Sequence, residues 1–464
     1  MSNELAIKSS VDDFIKIGDI STVFDGPHAT PKKIEKGPYF LSISSLESGR
    51  LDLSKSACVS ENDFTRWTKR VTPREGDILF SYETRLGEAA LMPSNIRACL
   101  GRRMGLLRPD LSKVVPRYLL YAYLSPDFQN EIRARTNRGA TVNRIALKEL
   151  PSFPVRIPSF SEQEAIAHIL GSLDDKIELN RQMNETLEGM AQALFKSWFV
   201  DFDPVIDNAI AAGNEIPDAL KARAAMRRGM GSNYKSLAEE LTKPFPSRFE
   251  YSDELEWYPA TWNARPLDTL LHIIGGGTPK TSIPEYWNGD IPWFSVVDAP
   301  SPSNLFVIDT EKHVTEKGVE KSSTKILRAG TTIISARGTV GKCALVAKPM
   351  AMNQSCFGLQ GQEEISDSFV YYTVLLSVSG LQRRAHGSVF NTISRDTFKT
   401  IDIPFCGVNL TLKFEEIVRP YFEKILENSI QSKTLAKLRD TLLPQLLSGT
   451  LRIPDAEKLV SEAL

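Results

Sequence analysis

The chain has few of the residues on which most metalloproteins and disulfide-rich proteins depend. Its 464 residues include five cysteines and five histidines, which are scattered, without a Cys-x-x-Cys pair or a histidine cluster. This scarcity disfavours a disulfide framework or a zinc site and indicates reduced core thiols. No apolar run reaches the roughly 18 residues of a membrane span, and Met1-Ser-Asn-Glu4 begins no signal peptide, so we expect a soluble, cytoplasmic protein.

Recognisable catalytic motifs are also missing. Gly338-Thr-Val-Gly-Lys342 approaches a phosphate-binding loop, but Ala336 stands at the position of its first glycine and Cys343 at that of its Ser/Thr. Gly275-Gly-Gly277 has no further glycine at dinucleotide-binding spacing. The sequence has no Asp/Asn-Pro-Pro-aromatic motif of amino-methyltransferases and no convincing Asp…Glu-x-Lys nuclease triad. We therefore expect a chain without catalytic apparatus.

The chain also has almost no net charge, at −1, which alone argues against nucleic-acid binding. The distribution is uneven, however. Residues 1–158 contain 24 Lys and Arg against 18 Asp and Glu, residues 159–250 contain 10 against 15, and residues 251–405 contain 14 against 16. A basic region is the electrostatic signature of a surface for polyanions, so the first region has this support and the later one lacks it.

What the chain does contain is a long internal repeat. Gly76-Asp-Ile-Leu-Phe-Ser81 is echoed 254 positions later by Gly330-Thr-Thr-Ile-Ile-Ser335. A nine-position pattern of mostly apolar residues that starts at Leu170 returns 248 positions later at Val418, with Asn180 matched by Asn428. Solenoid repeats have periods of about 20 to 50 residues, so this duplication predicts two similar lobes. Two similar lobes suit a ligand with two similar parts.

Each half has the same internal order, a region of short apolar runs followed by a long helical pattern. In the first region, residues 39–43, 77–81 and 155–157 are typical of strands, and residues 118–123 are typical of a helix with Pro116 near its first turn. We therefore predict α+β lobes. Residues 201–255, between the halves, contain Ala-rich stretches at 207–212 and 217–228 that indicate helices, either lying on the long helix or in a surface linker.

The long helical patterns predict a coiled coil. The first begins after Pro158, where Ser161-Glu-Gln-Glu164 has the form of a capping box, and continues to about Phe199. Its apolar residues follow at steps of three and four, with one extra step of three after Asn180, which predicts a stammer. In the second pattern we predict a helix that starts near Pro420 and is kinked or stopped near Pro444, with Gly449 beyond it.

Asn180 and Asn428 occupy equivalent places in the two seams. A polar residue in such a seam typically fixes the register of the pairing, so contact between the two asparagines of antiparallel helices is one interpretation. Exposure of both side chains to solvent is the alternative.

Two pairs of repeated motifs are candidates for DNA contact. Ser335-Ala-Arg-Gly-Thr-Val-Gly-Lys342 corresponds to Ser81-Tyr-Glu-Thr-Arg-Leu-Gly87, and Arg138-Gly-Ala-Thr-Val-Asn143 corresponds to His386-Gly-Ser-Val-Phe-Asn391. Glycines allow the backbone to approach a ligand, Arg and Lys pair with phosphate or guanine, and Asn can read adenine. The alternatives are ordinary polar hairpin turns and, for the asparagines, capping of the next helix. The pairs Arg102-Arg103 and Lys32-Lys33 are candidate phosphate contacts or parts of a solvated face.

The chain resembles the specificity subunit of a type I restriction-modification system. The resemblance covers nearly the whole chain and is carried by the two-lobed layout and by three phrases: Pro158-Ser-Phe-Ser-Glu-Gln-Glu164, Leu194-Phe-Lys-Ser-Trp-Phe-Val-Asp-Phe-Asp-Pro204 and Leu442-Leu-Pro-Gln-Leu-Leu-Ser-Gly449. It implies that each lobe is a target recognition domain that reads one half of a split double-stranded DNA sequence. It also implies that the two long helices pair as an antiparallel coiled coil with pseudo-twofold symmetry, set the half-site spacing and dock two methyltransferase subunits.

By the same resemblance, S-adenosylmethionine, ATP and Mg act in partner subunits, which are the methyltransferase and, in systems that cleave DNA, restriction subunits. No cofactor and no metal is expected in this chain. The long connector and the absence of a basic excess in the second lobe depart from the family pattern. The alternative function is a coiled-coil scaffold that binds protein partners through two similar lobes.

The resulting prediction divides the chain into six segments. They are target recognition domain 1 (1–158), a central spacer helix (159–203), a partly helical connector (204–255), target recognition domain 2 (256–405), a C-terminal spacer helix (406–448) and a tail (449–464). The candidate DNA-binding residues are Lys32, Lys33, Tyr82, Thr84, Arg85, Arg102, Arg103, Arg138, Asn143, Lys280, Arg337, Thr339, Lys342, Arg383, Arg384 and Asn391. The predicted coiled-coil seam consists of Leu170, Leu173, Ile177, Asn180, Leu187, Met190, Leu194, Tyr421, Ile425, Asn428, Leu435, Leu438 and Leu442.

Overall fold

The computed structural model describes residues 14–47, 49–136, 143–229, 242–300, 304–385 and 392–464. The chain forms two compact units, of which unit 1 comprises Met1–Glu178 with Lys433–Leu464 and unit 2 comprises Leu179–Ser432. Each unit contains one lobe and a part of both long helices. The helices are α1 (Glu61–Trp67), α2 (Pro116–Leu124), α3 (Pro126–Ala134), α4 (Phe160–Phe199), α5 (Asp203–Ala212), α6 (Asp218–Gly229), α7 (Glu316–Glu320), α8 (Asp367–Ala385), α9 (Arg395–Phe398), α10 (Val408–Ser448) and α11 (Ile453–Ala463).

Lobe 1 is built from short strands arranged in small sheets. The strands are β1 (Phe14–Lys16), β2 (Ser21–Asp25), β3 (Ile34–Phe40), β4 (Leu46–Glu47), β5 (Arg50–Leu51), β6 (Ala57–Cys58), β7 (Ile78–Ser81), β8 (Ala89–Leu91), β9 (Ala98–Cys99), β10 (Met104–Pro109) and β11 (Pro154–Arg156). The largest sheet has the order β2-β10-β7-β8 and is antiparallel, while the sheet β6-β3-β9 contains the parallel pair β3 and β9. Strand β7 is buried along its whole length, as expected for the apolar run that follows Gly76.

Lobe 2 repeats this arrangement. Its strands, with the hairpin that precedes it, are β12 (Phe249–Ser252), β13 (Glu256–Pro259), β14 (Asn263–Pro266), β15 (Leu271–Gly275), β16 (Trp287–Phe294), β17 (Phe306–Val307), β18 (His313–Val314), β19 (Thr332–Ser335), β20 (Cys343–Val346), β21 (Ala351–Met352), β22 (Cys356–Gly361) and β23 (Asp402–Phe405). The sheets β15-β22-β19-β20-β17 and β18-β16-β21 correspond to the two larger sheets of lobe 1. The α+β fold class predicted from the repeat is therefore confirmed.

One strand prediction is wrong in its position. The strand expected at residues 39–43 ends at Phe40 as part of β3, and Ile43–Ser45 form a 3-10 turn. The Ser42 hydroxyl accepts a hydrogen bond from the Ser44 N–H at 3.4 Å, so a local side-chain contact competes with the strand ladder.

The cap of α4 differs from the predicted one. The Ser159 hydroxyl accepts a hydrogen bond from the Glu162 N–H at 3.3 Å, which places Ser159 at the cap and Ser161 inside the first turn. The prediction of a cap at Ser161 is therefore wrong. Both Ser159 to Glu162 and Ser161 to Glu164 have capping-box spacing, so spacing alone does not separate them.

The second long helix starts earlier than the sequence predicts and is continuous through both of its prolines. Helix α10 starts at Val408, not near Pro420, and passes through Pro420 and Pro444 before it ends at Ser448. An interior proline removes one backbone hydrogen bond and costs about 3 kcal/mol. Phe414, Val418 and Ile425 are buried on the same helix, so packing on both sides of Pro420 offsets that cost. Gly449 follows with a φ of +74°, as predicted for a residue beyond the helix end.

In unit 2 the two long helices meet through a ladder of buried amides. The Asn180 amide donates to Gln431 Oε1 at 2.9 Å and lies 3.4 Å from the Asn428 carbonyl oxygen. The Asn428 amide donates to Asn184 Oδ1 at 2.9 Å, and the Asn184 amide donates to the Ser429 hydroxyl at 3.1 Å. As the residue numbers increase along α4, the numbers of their partners in α10 decrease. The two helices are therefore antiparallel. Both equivalent asparagines are buried, but the side-chain partner of Asn428 is Asn184 and not Asn180.

Where a stammer was predicted, the buried residues of α4 from Asn180 to Phe195 follow at steps of four, four, three and four, without two successive steps of three. On α4 the buried residues after Asn180 are Asn184, Glu188, Ala191, Phe195, Trp198 and Phe199. Met190 is 48% exposed, so its assignment to the seam is wrong. Because Asn184 and Ala191 occupy the inward positions, no three-residue slip is needed.

In unit 1 the same helices pair through apolar residues and through an ion pair between Asp174 and Arg439. Leu170, Leu173, Leu435 and Leu442 belong to one buried cluster with the core of lobe 1. Asp174 accepts hydrogen bonds from Arg439 at 2.7 Å and from the Tyr121 hydroxyl at 2.6 Å. Helix α2 of lobe 1 is therefore joined to α4 by a hydrogen bond. The other predicted seam residues, which are Ile177, Leu187, Leu194, Tyr421 and Leu438, are half-buried beside the cluster of their unit.

The connector is helical at both places where the sequence predicts it, in α5 and α6. Asp203, at the start of α5, accepts hydrogen bonds from Arg223 of α6 and from Ser197 of α4. Burial would raise the pKa of Asp203, but these hydrogen bonds and the charge of Arg227 hold it below its usual value. The aromatic residues of the preceding phrase pack inward, since the Phe195 and Trp198 rings contact the Phe414 ring. These contacts place α5 and α6 against the long helix in unit 2.

The state of the cysteines and the hydropathy of the helices were also predicted from the sequence. All five cysteines are free thiols, and Cys99 and Cys356 are buried. Among the described residues, no helix is both long and apolar enough to cross a membrane.

Candidate nucleic-acid interface

Three segments of lobe 1 converge at the end of strand β7. The Tyr82 N–H donates to the Arg103 carbonyl oxygen at 3.2 Å, and the Ile145 N–H donates to the Tyr82 carbonyl oxygen at 2.9 Å. The Thr84 N–H also lies 3.4 Å from the Asn143 carbonyl oxygen. We call residues 82–87, 101–103 and 143–145 the lobe 1 loop cluster.

Lobe 2 makes the same connections at the end of strand β19. The Ala336 N–H donates to the Ser355 carbonyl oxygen at 2.7 Å, and the Ile393 N–H donates to the Ala336 carbonyl oxygen at 3.0 Å. We call residues 336–342, 353–355 and 392–393 the lobe 2 loop cluster. The two clusters share one backbone scaffold, which explains why their glycine and serine positions recur in the sequence.

Four of the candidate side chains lie together in the lobe 1 loop cluster. Thr84, Arg102 and Asn143 are exposed, while Arg103 is half-buried. Arg103 Nη1 donates to the Thr84 hydroxyl at 3.3 Å, and Arg103 Nε lies 3.1 Å from a carboxylate oxygen of Glu83. Among the described residues, the Nε–H has no hydrogen-bond partner, so this second contact is an ion pair without hydrogen-bond geometry. Glu83 was not singled out from the sequence.

Two other candidates of lobe 1 turn away from this surface. Arg85 donates to the Ile43 carbonyl oxygen at 3.2 Å and pairs with Glu88 at 3.3 Å. Tyr82 is 5% exposed, and its hydroxyl is buried without a hydrogen-bond partner in the part of the chain that the structure describes. Burial raises the pKa of Tyr82, and the charges of Asp25 and Glu83 raise it further. In this conformation the Tyr82 hydroxyl is buried, and the Arg85 guanidinium contacts Ile43 and Glu88.

In the lobe 2 loop cluster, Arg337, Thr339 and Lys342 all have exposed side chains. The Lys342 N–H donates to the Ser335 hydroxyl at 2.9 Å, so the loop backbone is closed while the charged groups stay in solvent. Thr278 contacts Gln354, which brings the segment of Lys280 beside this cluster.

Four of the remaining candidates lie elsewhere on the lobes. Lys32 and Lys33 are exposed between β2 and β3. Arg383 and Arg384 line a shallow depression on α8, and Arg384 donates to the Thr400 hydroxyl at 2.9 Å. Arg138 and Asn391 lie outside the described residues.

A repeated glycine and a repeated glutamine hold each loop against a helix. Gly87 and Gly341 have φ values of +88° and +92°. The Gln129 amide donates to the Gly87 carbonyl oxygen at 3.1 Å, and the Gln382 amide donates to the Val340 carbonyl oxygen at 2.8 Å. The two glutamines are 253 positions apart, so the repeat relates them to each other. Neither belongs to an apolar or charged pattern from which its role could be predicted.

Comparison with known proteins places the chain beside DNA specificity proteins. The family model for the type I restriction modification DNA specificity domain matches residues 12–189 and 259–406. The type I restriction enzyme HindI specificity subunit of Haemophilus influenzae is 31% identical over 401 residues, which cover 81% of this chain and 86% of that protein. The putative MjaX specificity subunit of Methanocaldococcus jannaschii is 21% identical over 446 residues, covering 94% and 92%.

The fold is also found among solved structures. The S subunit of a type I restriction-modification system from M. genitalium aligns over 96% of this chain and 99% of its own length, with a TM-score of 0.55 and 16% sequence identity. At this level of identity, the similarity shows a shared fold.

Proposed function

The chain belongs to the family of type I restriction-modification DNA specificity proteins, and we propose that it is the non-catalytic subunit that reads a two-part DNA sequence and recruits two adenine-methyltransferase subunits. In this proposal the reading is done by the two loop clusters, one for each half of the target. S-adenosylmethionine, ATP and Mg would be bound by partner subunits, including restriction subunits where the system cleaves DNA.

The observation that carries the proposal is the shared scaffold of the two loop clusters. Both place a hairpin loop, a second loop and a following segment together through equivalent backbone hydrogen bonds, yet their side chains differ. A conserved backbone with different surface side chains suits two readers of the same polymer with different sequence preferences, because bases are distinguished by side-chain donors and acceptors.

An exposed apolar stripe on α4 supports the recruitment of protein partners. Leu179, Met183 and Met190 are each more than a third exposed, and their spacing of four and seven residues puts them on one face of the helix. Single exposed apolar residues are ordinary, but an aligned row is typical of a surface that another protein covers. At 3.6 residues per turn, the row lies about a quarter of a turn around α4 from the seam that holds α10.

A methylation map tests the reading function. Adenine methylation in host DNA is compared with and without this chain, which defines the split target if one exists. Filter binding by the chain assembled with its methyltransferase subunits then compares DNA that carries the target with DNA in which either half is scrambled. We expect strong preference for the intact target and loss of preference when either half is scrambled. Binding without sequence preference would favour the protein scaffold instead.

Substitution of the stripe tests recruitment. Met183→Glu with Met190→Glu should abolish co-purification of the methyltransferase subunit, because burying two carboxylates in an apolar interface costs several kcal/mol. Leu459→Glu on α11, an equally exposed leucine outside the stripe, is the matched control. Unchanged assembly of the double variant would refute this surface as the docking site.

A further inference from the structure

Thr84 has a backbone conformation that its residue type disfavours. Its φ is +74°, and Gly338, at the equivalent position of lobe 2, has the same φ of +74°. The scaffold therefore requires a left-handed residue here, and lobe 2 meets the requirement with glycine. A β-branched residue with positive φ is an outlier, and such strain is kept where the side chain has a task.

The task is visible in the contacts of Thr84. Its hydroxyl accepts a hydrogen bond from Arg103, which itself has a φ of +71° and an ion pair with Glu83. Two strained residues on different loops thus touch each other. Together, Glu83 and Thr84 hold the Arg103 guanidinium on two of its edges, and a third of the side chain remains exposed.

Lobe 2 has none of these side chains at the matching positions. Equivalent backbone hydrogen bonds align Glu83 with Arg337 and Arg103 with Ser355. At these two positions, the positive charge of lobe 1 is Arg103 on the second loop, and that of lobe 2 is Arg337 on the hairpin loop. The arrangement around Arg103 is a property of lobe 1 and not of the shared scaffold.

We infer that Arg103 is a specificity-determining residue of lobe 1, held by Glu83 and Thr84 so that it reads a guanine edge in the DNA major groove. This inference rests on the proposed function. An arginine fork pairs with guanine O6 and N7 through two hydrogen bonds, which requires a fixed guanidinium plane.

A phosphate contact fits the same surroundings poorly. The carboxylate of Glu83 lies 3.1 Å from Arg103, so the pair is close to neutral and the carboxylate repels a phosphate. Phosphate neutralisation is better served by a free charge such as that of the neighbouring Arg102, which is exposed. Arg103 and Arg102 are therefore assigned different tasks, one at a base and one at the backbone.

The test measures discrimination at every base position of the target. The complex assembled with methyltransferase subunits is incubated with a DNA library randomised one position at a time, and bound fractions are sequenced. Arg103→Ala should reduce discrimination about 10- to 100-fold at one G·C position of one half-site and leave the other half-site unchanged. Arg103→Lys should lose the same discrimination while keeping the salt dependence of binding, because lysine keeps the charge but lacks the fork.

Thr84→Gly provides a readout that a structural role would not give. Removing the strain should keep or raise the Tm, while removing the hydroxyl that holds Arg103 should weaken discrimination at the same position. Arg97→Ala, which removes an arginine paired with Glu61 elsewhere in lobe 1, is the control for loss of charge and should leave discrimination unchanged.

Two results overturn the inference. If Arg103→Ala weakens binding to all sequences equally and lowers the salt slope by about one, Arg103 is a phosphate contact. If the changed position is an A·T pair, the guanine assignment is wrong. A wild-type complex without any split-site preference would instead overturn the proposed function itself, so the two failures are distinguishable.

Discussion

At the scale of single residues, positive φ angles in lobe 2 separate two kinds of glycine. Gly341 has a φ of +92°, and a Cβ added there would lie 2.6 Å from Val378 Cγ1. Gly338 has a φ of +74°, and a Cβ added there would have no atom of the described residues within 4 Å. Conformation is required at both positions, whereas close packing is required only at Gly341.

We therefore expect unequal costs for the same substitution. Gly338→Ala should lower the free energy of unfolding by about 1 kcal/mol, the typical cost of a left-handed non-glycine residue. Gly341→Ala should cost about 2 to 3 kcal/mol because overpacking adds to the conformational cost. Urea denaturation of the two variants, monitored in unit 2, measures the difference, and equal costs would contradict the packing argument.

Glu188 is a second residue whose surroundings lead to a prediction. It lies in α4 and is nearly buried. Burial raises its pKa from the ordinary value of 4.5 to about 7, opposed by a hydrogen bond from Gln192 and assisted by the charge of Glu185. The folded state therefore retains a proton that the unfolded state has lost between pH 4.5 and 7.

This linkage makes stability fall as pH rises through that window, since the unfolded state binds fewer protons there. Glu188→Gln should remove this dependence and be more stable than the wild type at pH 8, by roughly 1 to 3 kcal/mol after allowance for partial solvent screening. The two proteins should have similar Tm values near pH 4.5. Glu164→Gln, an exposed glutamate of the same helix, is the control, and an unchanged pH profile for Glu188→Gln would contradict the assignment.

At the scale of elements, the buried amides of the helix pair give a measurable coupling. Asn428 and Asn184 share a direct hydrogen bond of 2.9 Å in a buried position. A double-mutant cycle with Asn184→Ala and Asn428→Ala should give an interaction free energy of about 1 kcal/mol. A cycle of Asn184→Ala with Asn214→Ala, whose amide bonds to Ser247 instead, should give a value near zero. Equal values in both cycles would mean that the amide ladder does not couple the helices.

The same elements show what sequence can and cannot predict. The limits of α4 near Pro158 and Phe199, the helix that starts at Pro116 and the buried strand β7 follow from local signals, which are proline positions, glycine positions and apolar periodicity. The seam of α4 was misassigned because apolar Met190 faces outward while polar Asn184 faces inward. Which face is buried depends on the partner α10, so periodicity within one segment does not decide it.

The site shows a similar division. The recurrence of the glycine loops indicated where the loop clusters lie, because the backbone scaffold is duplicated with its sequence. The contacts of Arg103 with Glu83 and Thr84 join positions about 20 residues apart on different loops, and no repeat marks them because lobe 2 lacks them. Contacts that occur in only one lobe cannot be predicted from the duplication.

At the scale of the whole molecule, unit 1 is assembled from both ends of the chain. Val460 and Ala456 of α11 are buried in the same cluster as Tyr118, Phe128 and Leu150 of lobe 1. Contacts at the C-terminus therefore contribute to the stability of a lobe that lies more than 300 positions earlier in the sequence.

Substitution on α11 should lower the stability of lobe 1. Val460→Ala should destabilise unit 1 by about 1 to 3 kcal/mol through loss of buried apolar surface. Hydrogen exchange should become faster in residues 14–134 and stay unchanged in residues 263–385. Leu459→Ala, at an exposed neighbouring position, should have little effect on either region. Faster exchange confined to residues 263–385 would contradict the division into these two units.

Because unit 1 combines two separate segments of the chain, its parts are synthesised at different times. Residues 1–178 leave the ribosome before unit 2, but their partner segment, residues 433–464, leaves after it. At about 5 to 20 residues per second, the wait is on the order of ten to fifty seconds. Unit 2 is continuous in sequence and can close in the meantime. Lobe 1 is therefore begun before unit 2 and completed after it, and a chain terminated before residue 433 lacks the segment that completes unit 1.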